Sequence, residues 1–98
     1  MILVRNIFRC QYGKAGEVAR VLAETRAVWD RAGGARLLTD LSGPFDTVVV
    51  EETTTSLDEY QRRLQEEFAD PRNGEVFGRL AGLIASGSRE YFTIEAAG

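Results

Sequence analysis

Ile2-Leu3-Val4-Arg5-Asn6-Ile7-Phe8-Arg9-Cys10 opens the chain with a two-residue alternation. Ile2, Val4, Asn6, Phe8 and Cys10 form a face that is apolar except for one amide. Leu3, Arg5, Ile7 and Arg9 form a face that is half aliphatic and half cationic. Successive side chains of a strand point to opposite sides, so the pattern predicts a strand with one face in a core and one face of mixed character. The fold follows from asking what covers each side.

Outward from this strand, Gln11-Tyr12-Gly13-Lys14 reads as a turn, and the spacing of Val18, Val21, Leu22, Thr25, Val28 and Trp29 predicts one long helix through residue 31. Ala32-Gly33-Gly34 stops it, since glycine accepts the left-handed cap most cheaply. Residues 35–41 read as a second strand, Ser42-Gly43-Pro44 as a turn, and residues 45–53, with Val48-Val49-Val50, as a third. The short connection makes these two a hairpin. Ser56-Leu57-Asp58-Glu59 has capping-box spacing, followed by an apolar stripe of Leu57, Tyr60, Leu64 and Phe68. Asp70-Pro71 breaks that helix, because a residue before proline avoids helical geometry. A further helical piece over 73–85 places Val76, Phe77, Leu80, Leu83 and Ile84 inward. Ser86-Gly87-Ser88 reads as a turn, residues 89–95 as the last strand, and Ala96-Ala97-Gly98 as a frayed tail.

The order strand, helix, strand, strand, broken helix, strand is the α+β arrangement called ferredoxin-like βαββαβ, with both helices on one face of a four-stranded antiparallel sheet. The opposite face then carries Leu3, Ile7, a valine of the third strand and Tyr91, an apolar patch of about 400–600 Å², near the limit for a lone subunit. A face-to-face homodimer through Leu3, Ile7 and Tyr91 is expected, with Arg5 and Arg9 pairing carboxylates such as Glu51 or Glu95 at its rim.

Composition narrows the chemistry. The 98 residues suffice for one domain, 1–98, with an ordinary apolar share of 44%. A net charge of −3 without a basic stripe makes nucleic acid an improbable partner. No histidine occurs, which removes Ser-His and Cys-His nucleophile pairs, the usual zinc sites and histidine-ligated haem. The single cysteine, Cys10, permits no internal disulfide. No metal and no resident cofactor is expected. No apolar run has membrane-spanning length and no basic-then-apolar leader opens the chain, so a cytoplasmic protein that does not engage a membrane is expected.

Five residues stand out as candidates for contact with a small-molecule substrate. Asn6 is an amide on an apolar strand face, either projecting into a pocket or bonded to a helix carbonyl or a buried water. Tyr60 and Tyr91 combine an aromatic body with a hydroxyl that needs a partner when buried. Trp29 and Phe77 are pocket walls or plain core. Glu51-Glu52 reads as a strand edge with one solvated carboxylate, a proton-shuttling pair being the alternative. Catalytic residues are not identified at this level.

Four stretches carry a family resemblance. They are Val4-Arg5-Asn6-Ile7-Phe8 with Tyr12-Gly13-Lys14-Ala15-Gly16-Glu17, Gly43-Pro44-Phe45-Asp46, Ser56-Leu57-Asp58-Glu59-Tyr60, and Ser88-Arg89-Glu90-Tyr91-Phe92. In these the chain resembles the dimeric α+β barrel proteins, NIPSNAP-like members most closely and antibiotic-biosynthesis monooxygenases beside them. The resemblance implies a cavity between sheet and helices. Two function classes follow: a non-catalytic small-molecule-binding or interaction module, and a cofactor-independent monooxygenase acting on an apolar aromatic or quinone-like compound. Some haem-degrading members pair a strand-one asparagine with a tryptophan and a histidine. Asn6 matches that asparagine, but the histidine is missing and Trp29 lies on the first helix, so haem degradation is disfavoured.

Overall fold

The computed structural model describes residues 1–97. Its elements are β1 (Ile2–Cys10), α1 (Ala15–Glu24), α2 (Arg26–Trp29), β2 (Arg36–Thr39), β3 (Thr47–Thr54), α3 (Leu57–Ala69), α4 (Pro71–Leu80) and β4 (Ile84–Thr93). The strands form one sheet in the order β2-β3-β1-β4. Every neighbouring pair is antiparallel. This is the expected ferredoxin-like α+β fold. β1 is central because both its edges carry partners, and its even face is the buried one: Val4, with Val18 of α1 and Val48 of β3, is sealed from solvent. Leu22, Val50, Val76 and Leu80 complete a core between the sheet and the helices.

Several boundaries differ from the sequence expectation, each for a local reason. The first helix is interrupted at Thr25, whose hydroxyl donates back to the Val21 carbonyl at 2.7 Å. The Leu22 carbonyl, which a continuous helix would offer to the Arg26 amide, accepts the indole N–H of Trp29 at 2.9 Å instead. At the start of α3, Ser56 Oγ accepts from the Glu59 amide at 3.1 Å, but the reciprocal arm of the capping box is absent. The Glu59 carboxylate grips Arg62. α3 ends at Ala69 and α4 begins at Pro71, with Asp70 between them accepting from the Arg72 amide at 2.9 Å as the cap of α4.

The largest difference concerns β4. Ser86-Gly87-Ser88 is not a turn but the middle of a strand that starts at Ile84 and pairs with β1 through a register shift at Arg9/Cys10. Ladder hydrogen bonds to β1 outweigh the local turn preference. One consequence is a correction to the expected interface. Tyr91 lies across from Val4, so it belongs to the helix-covered face, and Phe92, across from Leu3, takes its place on the outer face. That outer face carries Leu3, Ile7, Val49, Leu38 and Phe92, interleaved with Arg5, Arg9, Arg36, Glu51 and Glu90. Arg5 pairs with Glu51 as anticipated, whereas Arg9 donates to Thr47 Oγ1 at 2.8 Å.

One loop contact fixes the start of α1. Asp46, just ahead of β3, sits in the left-handed region at φ 56° and accepts from the Gly13 and Ala15 amides at 2.9 and 3.3 Å. The residue at the helix's own cap position, Lys14, offers no side-chain cap. No described helix is long and apolar enough to cross a membrane. Of the tail expected to fray, Gly98 lies outside the described residues, and Ala96 and Ala97 lie outside the regular elements.

Candidate functional site

Asn6 projects from the middle of the central strand toward the helices, and the polar groups around it build outward in a fixed direction. Arg89, beside it on β4, has only donors, and its Nε donates to Asn6 Oδ1. That leaves the amide NH₂ to donate to the Tyr60 hydroxyl, 3.2 Å away on α3. The Tyr60 hydrogen is then directed elsewhere, and the neighbouring group is the Glu52 carboxyl on β3. Burial pushes the Tyr60 phenol up, as does the Glu52 charge, while the Asn6 hydrogen bond opposes them. Neither bond that satisfies Asn6 is to a helix carbonyl, so the amide's partners are side chains rather than the backbone.

Tyr60 is held on all sides. The Arg63 and Arg89 guanidiniums lie 5.6 and 5.4 Å from its ring centroid, and Tyr91 meets it edge-on at 6.1 Å. With 2% of its surface exposed, Tyr60 is the most buried aromatic residue of the chain, and its hydroxyl is fixed relative to the sheet.

Beyond Tyr60 the sheet and helices part to leave a cavity of about 370 Å³. That is within the size range of small-molecule sites, about 300–1,000 Å³. Asn6, Trp29, Tyr60 and Phe77, four of the five residues singled out from sequence, line it. Tyr91 does not, and instead backs Tyr60. The walls are Phe8, Leu22, Trp29, Val50, Leu64 and Leu80, and at the mouth Phe68 of α3 stacks on Phe77 of α4, centroids 5.7 Å apart. Phe77 is half exposed, because the Asp70–Pro71 break turns α4 so that this ring edges the opening rather than the core. Gly87 of β4 also faces the cavity, where any side chain would take up space.

Three charged residues of the lining did not stand out in the sequence pattern as pocket groups: Glu52, Glu67 and Arg89. Glu52 does not extend into water as a strand-edge carboxylate would. Its side chain is 14% exposed, its closest cation is Arg63 at 3.9 Å, and desolvation pushes its carboxyl up. Glu67, in the last turn of α3, carries no ion pair or side-chain hydrogen bond among the described residues. Burial, aided by the Glu52 charge, raises its carboxyl to about 7. Only the alternation of β3, which turns Glu52 to the side of Val48 and Val50, could have located the first of these; a strict helical period from Tyr60 and Leu64 points to Glu67. The buried Asn73 ties this wall together by donating to the Glu67 backbone carbonyl. Cys10 is away from the cavity, and its buried thiol is pushed up, so it is poorly suited to be a nucleophile.

The cavity thus offers an apolar, aromatic slot, a hydrogen-bonding edge fixed by Asn6 and Tyr60, and one carboxyl, Glu67, able to carry a proton near neutral pH.

No family model matches the chain, and no curated protein matches it. Solved structures do. An uncharacterized NIPSNAP domain protein from Burkholderia xenovorans superposes with a TM-score of 0.89 at 16% identity, over 98% of this chain and 96% of that one. A NIPSNAP family protein from Agrobacterium tumefaciens gives 0.86 at 24% identity, over 94% and 90%. SnoaB, a cofactor-independent oxygenase from Streptomyces nogalater, gives 0.67 at 23% identity, over 98% and 94%. The chain has the fold of NIPSNAP and antibiotic-biosynthesis-monooxygenase-like proteins.

Proposed function

We propose that this chain, sharing the fold of NIPSNAP proteins and of a cofactor-independent oxygenase, binds a flat, apolar small molecule bearing a hydroxyl or carbonyl group and acts on it without a cofactor. The carrying observation is the cavity of about 370 Å³ with Asn6 and the Tyr60 hydroxyl on its edge. An aromatic compound fills the slot between Trp29 and Phe77, and its oxygen meets the Asn6–Tyr60 edge. Removing a proton makes such a compound electron-rich, and the Glu67 carboxyl, raised by burial to about 7, suits that step. The fold itself hosts many activities, so the site and not the likeness supports this reading.

A second reading has its own support. Both ends of the Asn6 amide are already satisfied, by Arg89 and by Tyr60, so the network could serve only to pack a binding or interaction module. A thermal-shift screen of quinones, flavins, haem and aromatic polyketide-like compounds separates the two. A ligand well above its dissociation constant adds about 2–3 kcal/mol of stability. A ligand-contacting role for Asn6 expects Asn6→Ala to erase that shift and leave the unliganded midpoint within about a few degrees. A large loss in the unliganded protein, with the ligand shift intact, means the amide only packs.

The same reading includes a homodimer formed by the outer sheet face. Five apolar side chains interleaved with charges there are supported as an interface by Leu38 and Phe92, 37% and 46% exposed in the single subunit. Ile7→Glu is expected to yield monomer or aggregate by light scattering. An equally stable dimer from that variant sinks the interface.

A further inference from the structure

Two residues of opposite charge line the cavity without an ion pair of their own, Glu67 half-buried and Arg89 exposed at the rim. Glu67 enters from α3 and Arg89 from β4, and neither makes an ion pair among the described residues, although most other arginines do. Arg89 is held in place by its Nε, which donates to Asn6 Oδ1, and no described residue accepts from its two η nitrogens. Water reaches Arg89, so its η nitrogens stand free at the rim for a ligand oxygen, while the half-buried Glu67 carboxyl faces the apolar walls.

We propose that Glu67 and Arg89 make the cavity a proton-transfer site for an enolisable carbonyl compound, an activity that requires no oxygen. The inference rests on the cavity being the ligand site. The Glu67 carboxylate takes the proton from the carbon next to the carbonyl. The C–H electron pair becomes the carbon–carbon double bond, and the carbonyl π pair moves onto oxygen. The resulting enolate oxygen meets the η N–H groups of Arg89, with the Asn6 and Tyr60 edge alongside. The Glu67 carboxyl exchanges its proton with solvent, and return of the solvent-derived proton or deuteron to carbon restores the ketone, so atoms and charge balance without an oxidant. The groups around Glu67 are Glu52 from β3 and Asp30 beyond α2, which hold its proton on, and Arg63 of α3 and Arg31, which oppose them. Arg89 is the cation on the facing strand.

The probe is 2-tetralone, a bicyclic aromatic ketone, incubated with the protein in D₂O under nitrogen. Deuterium entering the α positions is followed by NMR, and binding by quenching of Trp29, the sole tryptophan. Wild type is expected to accelerate exchange well above the same concentration of acetate, with a rate that rises with pH and levels off above about 7. Glu67→Gln is expected to lower the exchange rate about a hundredfold while leaving the quenching unchanged. Arg89→Gln lowers the rate without moving the pH midpoint, and Glu66→Gln, an exposed neighbour, changes nothing. Quenching without exchange, or full exchange by Glu67→Gln, overturns the proposal and leaves the pocket standing. Neither quenching nor exchange removes the pocket reading and this proposal together.

Discussion

Glu51 and Glu52 are neighbours in the chain and opposites in circumstance. The strand sends Glu51 to the outer face of the sheet, where Arg5 lies at 3.2 Å and Arg36 clamps the other oxygen. It sends Glu52 to the inner face, where the closest guanidinium stands off at 3.9 Å and an apolar cavity begins. Two cations make Glu51 a rivet between three strands, since β1, β3 and β2 each supply one member of the cluster. Glu52 has no such claim on its charge and joins a group of residues whose protonation can change. One peptide step separates a carboxylate held between two arginines from one set at the wall of a cavity.

Breaking the rivet has the largest expected effect. Glu51→Ala takes the shared carboxylate from both arginines, and urea denaturation is expected to show a loss of about 2 kcal/mol, below the range for a fully buried pair, because Arg36 is mostly exposed and Arg5 keeps Glu90 at 3.8 Å. A loss below ~1 kcal/mol would place Glu51 with ordinary surface pairs. On the inner face, Tyr60→Phe removes the acceptor of the Asn6 amide and is expected to cost about 1 kcal/mol in the same assay, with ligand shifts abolished. The smallest effect concerns pH, because water screens the half-exposed Glu67 carboxyl and discounts its shift. Because folding raises the Glu67 carboxyl from its ordinary 4.5 to about 7, the folded chain holds this proton more tightly than the unfolded chain does. Its contribution to stability therefore falls as pH rises from about 4.5 to about 7 and is flat beyond. Glu67→Gln has no proton to lose, so its melting temperature relative to wild type should climb across that window; a constant difference would mean Glu67 is already solvated like a surface carboxylate.

The fold was legible because β1 and the helices each carry a clean period. The alternation of Ile2 to Cys10 assigned faces correctly, and the aliphatic outer parity of the valine strand held, with Val49 outward. Asn6 was conspicuous for being an amide among apolar residues. What escaped was set by long-range pairing. Ser86-Gly87-Ser88 has every local mark of a turn and is drawn into β4 by its ladder with β1, and the register of that ladder, Val4 against Tyr91, decides which side of the sheet Tyr91 takes. Arg89 and Glu67 looked like solvated charges because nothing in their immediate sequence reveals that a cavity opens beside them.

Asp46 shapes how the chain reaches this fold. The first long helix borrows its cap from a residue 31 positions beyond Ala15, on the loop that enters β3. That helix gains its end contacts only once the hairpin has closed, so helix and hairpin are obliged to consolidate together. A chain wired in this way is expected to lose both in a single cooperative step, leaving little room for a half-built subunit with its sheet uncovered.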